Sequence, residues 1–289
     1  MAWWKLRKYS NKAVQTDNLR GVCLVASLSL HFTTRQTPHK LWLTAALAQR
    51  KMSQVDTKLN EYRRCGRPVM FLNDSVEHPY SGCGGCFVVS YKSKLYVVTV
   101  NHLFKNRLYT EMTTYVNENS DSLFSFNRVF SIEIPDLEDD DFSDIVIYTV
   151  DDQYHRSDEI YSLDIEEYSN LWIEEPKSYD YMIFGYPDLY RTIDSEDKLI
   201  YCAQKCIGAS YIEPAVSECC HMLKIRDSNG TEEYNGFSGS PVISWKRQLN
   251  GHLAPSFSGM ALRATKLSEK LMFLESSFVI AALDKASRS

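Results

Sequence analysis

A serine set between glycines opens the chemistry of this chain: Gly236-Phe237-Ser238-Gly239-Ser240-Pro241, followed by the apolar Val242-Ile243-Ser244-Trp245. A nucleophilic hydroxyl needs a tight turn that projects its Oγ. It also needs backbone N–H groups aimed at the oxyanion that forms on attack, and an uncrowded approach for the substrate. Gly236 and Gly239 supply the turn and the space. The N–H groups of Gly236 and Ser238 form the natural oxyanion pair, and Pro241 opens a strand. The plain alternative is a glycine-serine hairpin loop.

Such a serine needs a base, and seven histidines are available. His102 stands out because it closes the apolar strand Leu95-Tyr-Val-Val-Thr-Val100 and precedes the short apolar turn Leu103-Phe104; strand ends place side chains at a rim or cleft. Its alternative is a histidine that merely caps a strand edge. The base needs an anion to fix its tautomer and stabilise the imidazolium. Asp144 begins the apolar strand Ile145-Val-Ile-Tyr-Thr-Val150, at the end of a buried run. Its rivals Asp139, Asp140 and Asp141 sit in an acidic stretch that reads as a solvated loop.

The elements that must position these residues are mostly strands. Short β-branched or aromatic runs cover Pro68–Leu72, Cys86–Tyr91, Leu95–Val100, Val129–Ile134 and Ile145–Val150. An acidic, tyrosine-rich stretch follows. A second set covers Tyr181–Gly185, Leu199–Ile212, His221–Ile225, Pro241–Trp245 and Ser258–Ala264. The one convincing helix is Ser276–Ala286, with Phe278, Ala281, Ala282 and Leu283 close to helical spacing. Many short strands, one terminal helix and a polar middle suggest two β-barrels joined by a linker. The expected division is a leader at 1–51, a first barrel at 52–155 carrying His and Asp, a linker at 156–180, and a second barrel with the helix at 181–289.

Charge narrows the function classes. Residues 1–51 hold nine Lys/Arg against one acid, a net +8, which leaves −13 for the rest of a chain whose total is −5. An acidic body repels nucleic acid, so DNA and RNA binding are set aside. The basic leader resembles a targeting segment; the other reading is that translation begins at Met52. Its apolar run, Val22 to Leu30, is too short to span a bilayer, so no stable membrane insertion is expected. Eight cysteines include Cys83-Gly-Gly-Cys86, Cys202-x3-Cys206 and Cys219-Cys220-His221. A zinc module is the competing class, but each pair lies in or beside a strand-like run, and alternation would scatter the sulfurs to opposite faces. Reduced, buried thiols in a cytoplasmic protein are expected instead, with no metal and no cofactor.

Thr99-Val-Asn-His102, Ser143-Asp-Ile-Val-Ile147 and Gly236-Phe-Ser-Gly-Ser-Pro241 together resemble the three catalytic blocks of trypsin-like (chymotrypsin-fold) serine peptidases, in the family's order of His, Asp and Ser. The separations, 42 residues from His102 to Asp144 and 94 from Asp144 to Ser238, suit one block set per barrel. Gly82-Cys-Gly-Gly-Cys-Phe87-Val-Val is similar to the family's glycine-bearing strand before the histidine strand, and Phe184-Gly-Tyr-Pro187 to the strand-turn that opens the second barrel. The resemblance covers Pro68 to the C-terminus. It implies an all-β fold of two six-stranded antiparallel barrels with a C-terminal helix, a triad of His102, Asp144 and Ser238, and hydrolysis of protein or peptide substrates through an acyl-enzyme. It also implies a pocket for the residue before the scissile bond. That pocket would be built by Glu232 and Asn235 and by the backbone of Leu262-Arg263-Ala264, and a carboxylate at Glu232 would favour Lys or Arg; the alternatives are that Asp227–Glu233 is a polar loop whose acids face water, or that Arg263 pairs with Glu232 and cancels its charge.

There are departures. Secreted trypsins carry an Asp before the nucleophile that pairs with a freed N-terminal ammonium; here the residue is Phe237, so that activation switch is not implied. No cysteine sits beside His102. A catalytically silent member of the family, binding peptide in the cleft without cutting it, is the alternative to the endopeptidase.

Overall fold

Three central strands of the first half carry unbroken apolar runs because both of their faces are buried. Residues alternate across a strand. In Cys86–Val89, Phe87 and Val89 enter one core cluster while Cys86 and Val88 enter another; in Tyr96–Val98, Tyr96 and Val98 oppose Val97; in Ile145–Tyr148, Ile145 and Ile147 oppose Val146 and Tyr148. The second half repeats the device: Met182 and Phe184 join the first cluster, Tyr181 and Ile183 a third. One cluster fills each sheet system and the shared one lies between them.

The computed structural model describes residues 59–73, 75, 80–116, 122–133, 144–154, 160–165, 176–194, 199–215, 219–231, 233–247 and 253–288. The leader expected at 1–51 lies outside them. A helix, α1, covers residues 59–65. The first sheet holds β1 (Gly66–Leu72), β2 (Tyr80–Tyr91), β3 (Lys94–Val100), β4 (Met112–Thr113), β5 (Phe126–Glu133) and β6 (Asp144–Val150), in the order β4-β1-β2-β3-β6-β5. A two-residue β7 (Leu163–Asp164) pairs with β2 in parallel. The ends of this sheet approach each other through a bridge between Tyr115 and Leu123, in the chain that joins β4 to β5.

The second unit is a closed six-stranded barrel. It is formed by β8 (Asp180–Gly185), β11 (Lys205–Pro214), β12 (Cys220–Asp227), β13 (Pro241–Arg247), β14 (Leu253–Thr265) and β15 (Lys270–Glu275), with every neighbouring pair antiparallel. A separate hairpin joins β9 (Arg191–Asp194) and β10 (Leu199–Cys202). Helix α2 (Ser276–Ser287) follows β15 directly and sends Val279, Ala282, Leu283 and Ala286 into the shared cluster. Across it, Tyr91 and Lys92 at the end of β2 both hydrogen-bond Asp284.

The expected class, all-β with two sheet systems and a C-terminal helix, is the observed one. Several elements differ. The run expected as one strand over Leu199–Ile212 breaks at Ala203 and Gln204 into β10 and β11, because β10 turns away to pair with β9. Strands β4, β7, β9 and β15 carried no expectation. The apolar core of β15, Leu271-Met-Phe-Leu274, runs straight into the helix and hides its own boundary. Helix α1 was also unexpected. Only Leu59, Tyr62 and Cys65 reach the shared core from a sequence that is otherwise polar, so tertiary contact holds the helix.

Candidate active site

Backbone contacts set the turn that carries Ser238. Gly236 has φ +97° and Gly239 φ +81°, conformations that L side chains rarely adopt. Space forbids a side chain as well. A Cβ at Gly236 would stand 2.2 Å from the Tyr186 carbonyl oxygen, and one at Gly239 would stand 2.1 Å from the Gly85 carbonyl oxygen. Between them Phe237 is fully buried inside the second barrel, edge-on to Tyr234 and against the bare α-carbon of Gly185. With residue 237 turned inward, Ser238 faces the rim and is half-buried.

Four hydrogen bonds pin the turn: Gly85 N–H to the Ser238 carbonyl at 2.8 Å, Gly239 N–H to the Ala261 carbonyl at 2.8 Å, Ala261 N–H to the Ser240 carbonyl at 2.8 Å, and Ser240 N–H to the Phe237 carbonyl at 3.1 Å. Among the described residues, the N–H groups of Gly236 and Ser238 donate to no acceptor. Two uncommitted N–H groups on one turn are the donor pair that an oxyanion requires.

His102 lies in a 3-10 turn, Asn101–Phe104, directly after β3. Aromatic packing holds that turn. Phe104 is buried edge-to-face on Phe71, with ring centroids 5.2 Å apart, and tilts against Tyr109 at 4.9 Å. The Tyr109 hydroxyl donates to Asn101 Oδ1 at 2.7 Å, and the Tyr148 hydroxyl donates to the Tyr109 carbonyl at 2.9 Å. The imidazole is half-buried beside a cavity of about 360 Å³, which Arg107 and Leu108 also line.

The two turns meet at β2 and β3. Thr99 Oγ1, three residues before the histidine, donates to the Gly85 carbonyl at 2.8 Å, and Gly239 presses against both groups. The point a Gly84 Cβ would occupy is 2.7 Å from Leu103 Cδ1 and 3.1 Å from the Ser238 carbonyl oxygen. The residue after His102 and the serine itself therefore border one small volume. The Ser238 hydroxyl makes no hydrogen bond among the described residues; such bonds in empty sites are often long and tighten only with substrate.

The backbone of Asp144 opens β6, opposite Glu133 of β5. Its neighbour Ile145 pairs with Val100, the last residue of β3. Register therefore brings Asp144 level with Asn101, next to the histidine. The structure describes Asp144 by its backbone alone, and its rivals Asp139, Asp140 and Asp141 lie outside the described residues, as does Glu232. Asn235 is exposed, and its carbonyl accepts from Asp188 N–H at 3.3 Å. Leu262 points into the shared core, Arg263 is exposed and Ala264 half-buried. They lie on β14 beyond Met260, where its ladder with β13 ends, so among the described residues no strand continues that ladder along 262–265.

The thiols are poor rivals as nucleophiles. Cys65, Cys86, Cys202, Cys206, Cys219 and Cys220 form no disulfide, and burial pushes Cys65 and Cys86 up to about 12, so neither is a thiolate at neutral pH. His221, once weighed as a zinc ligand with Cys219 and Cys220, instead contacts Tyr211 and Glu275. Among the described residues no group of three His, Cys, Asp or Glu is placed to hold a metal, and no helix is long and apolar enough to cross a membrane. The sequence shows Thr99 and Asn101 only as members of the Thr99-Val-Asn-His102 block and gives Tyr109 and Tyr148 no mark; the supporting role of all four comes from tertiary contacts.

No protein-family model matches the chain, and no curated protein matches it in sequence. Among solved structures it is similar to two proteins of the scabies mite. One is inactivated protease paralogue S-D1, at 10% identity and a TM-score of 0.49, covering 78% of this chain and 92% of that one. The other is inactivated protease paralogue S-I1, at 16% identity and a TM-score of 0.47, covering 78% of this chain and 95% of that one.

Proposed function

We propose that the chain is a serine endopeptidase acting through Ser238, His102 and Asp144. The observation that carries this is the docking of the serine turn on β2 and β3, beside the His102 turn, with the N–H groups of Gly236 and Ser238 uncommitted. Ser238 Oγ attacks the scissile carbonyl and His102 accepts its proton. Asp144 holds the imidazole in the tautomer that can do so, and the two N–H groups receive the oxyanion. His102 then passes the proton to the leaving amine, and water attacks the acyl-enzyme by the same route in reverse. The stretch of β14 beyond Met260, where the β13 ladder ends among the described residues, suits an extended peptide, which adds as a strand. By the family resemblance, Glu232 and Asn235 belong to the pocket for the residue before the scissile bond, with a preference for Lys or Arg.

One observation favours a second reading. The absence of a bond from the Ser238 hydroxyl fits a cleft that binds peptide without cutting it. A fluorophosphonate probe separates the two. The endopeptidase predicts labelling of the wild type, none of Ser238→Ala, loss of library cleavage by a factor on the order of 10⁶ in Ser238→Ala and His102→Ala alike, and a smaller loss, on the order of 10⁴, in Asp144→Asn. Saturable peptide binding by a wild type that neither labels nor cleaves means the silent module.

A further inference from the structure

One tyrosine ties the Gly236 end of the oxyanion turn to the first sheet. Tyr186 follows β8, and its main chain grips the turn: Tyr186 N–H donates to the Gly236 carbonyl at 3.0 Å, and the Tyr186 carbonyl oxygen fills the space where a Gly236 side chain would be. Two residues on, Asp188 N–H holds the Asn235 carbonyl at 3.3 Å. The side chain of the same tyrosine points the other way. Its hydroxyl donates to the carbonyl of Gly66, the first residue of β1, at 2.9 Å. It also accepts from Gln204 Nε2 at 3.2 Å, and that amide donates to the Arg63 carbonyl in α1 at 2.9 Å. A single side chain therefore joins the junction of α1 and β1 to the residue that supplies one of the two oxyanion donors.

We infer that Tyr186 is a positioning residue for the oxyanion hole, with its hydroxyl and Gln204 setting the orientation of Gly236 N–H against the first sheet. Three features carry the argument. Gly236 has no side chain with which to anchor itself, so its peptide plane takes its orientation from what the adjacent carbonyl and N–H touch. The strip that touches it is Tyr186-Pro187, irregular chain after β8, together with Asp188, which opens a short 3-10 turn; no strand ladder holds these residues. The Tyr186 hydroxyl supplies the missing anchor, and supplies it from the other sheet system. The serine's own carbonyl is fixed by Gly85 of β2, so each half of the turn has its tie to the first sheet. Donor placement within a fraction of an ångström decides how well developing charge is stabilised.

The inference rests on the proposed peptidase. Tyr186→Phe keeps the ring and removes the hydroxyl. It should lower kcat about 10-fold with KM within twofold, because the donors act on the transition state and not on bound substrate. Affinity for a peptide aldehyde, whose adduct carries the oxyanion, should fall in parallel. Tyr62→Phe is the control. It removes another hydroxyl bond between α1 and the second barrel, Tyr62 to the Pro255 carbonyl at 3.2 Å, without touching the turn. It should shift the thermal midpoint while leaving kcat unchanged. An unchanged kcat and aldehyde affinity in Tyr186→Phe, or an equal fall in kcat in both variants, overturns the inference. A wild type that neither labels nor cleaves defeats the peptidase itself, a separate result.

Discussion

The second barrel contributes a serine whose geometry is built from backbone, and the first sheet contributes a histidine whose geometry is built from side chains. Ser238 sits in a turn framed by Gly236 and Gly239, where a side chain would strain the backbone and clash with it, and the turn is fixed by peptide N–H and carbonyl groups. His102 sits in a single 3-10 turn fixed by Phe104, Tyr109 and Tyr148. Closure differs in the same sense. The second barrel is sealed by continuous strand pairing, whereas the first sheet approaches closure through the Tyr115–Leu123 bridge. A turn built from backbone tolerates no added atoms, while one built from side chains tolerates conservative change and yields gradually.

The sharpest way to break this comparison is to add one methyl group. Gly239→Ala puts a Cβ 2.1 Å from the Gly85 carbonyl, at φ +81°. The Gly85 carbonyl is strand backbone in β2 and cannot move aside. We expect a loss of about 3 kcal/mol or more, through strain at a special conformation and separation of the serine turn from β2. Gly230→Ala is the matched case, with φ +70° and nothing within 4 Å; it should cost about 1 kcal/mol, the conformational term alone. Denaturant unfolding of both variants measures the difference. Equal losses mean that docking on Gly85 contributes nothing.

Phe104→Leu probes the other side. The edge-to-face contact with Phe71 and the packing on Tyr109 vanish, for about 1–2 kcal/mol. Activity should fall further than stability accounts for, because the histidine turn loses its anchor while the chain stays folded. Saturating kinetics at a temperature where the variant is fully folded is the measurement. A kcat equal to wild type would show that β3 alone places His102.

The same division explains what the sequence could reveal. The serine turn was legible because its constraint is glycine itself, and Gly236 and Gly239 announce a bend whatever surrounds them. The strands were legible where both faces are buried, since Phe87–Val89 and Ile145–Tyr148 then read as continuous apolar runs. His102 was legible only as a strand end. Its supports, Asn101 with Tyr109 and Phe104 with Phe71, join residues that the strand order brings together, and no local spacing encodes them. Tyr186 was noticed as part of a strand-turn. Its role depends on Gly66 and Gln204, which are distant in sequence and adjacent only once the two sheet systems pack. Helix α1 failed to register for the same reason, because its stability comes from what it docks on.

The smallest expected effect separates the two units by charge. His221 is buried in the second barrel; its Nε2 is 3.1 Å from Glu275 Oε2, its Nδ1 3.2 Å from the Tyr211 hydroxyl, and its ring lies against Phe273. Glu275 also accepts from Ser277 at the start of α2. Burial lowers the histidine below its ordinary value, outweighing the opposite pull of the Glu275 carboxylate. The unfolded chain therefore takes up this proton before the folded chain does. Above about pH 6.5 the group is neutral in both states and its contribution is complete; as pH falls through that value and on through the folded one, stability is lost. The bonds that hold the His102 turn are of another kind, phenol to amide and phenol to carbonyl, and burial raises the Tyr148 hydroxyl further from the neutral range. Hydrogen exchange at pH 7 and pH 5 should therefore show β12 and β15 losing protection while β3 and β6 keep theirs, and His221→Gln should flatten the loss. If all four strands lose protection together, or if His221→Gln leaves the pH dependence intact, the two units do not differ in this respect and the acid response lies elsewhere in the chain.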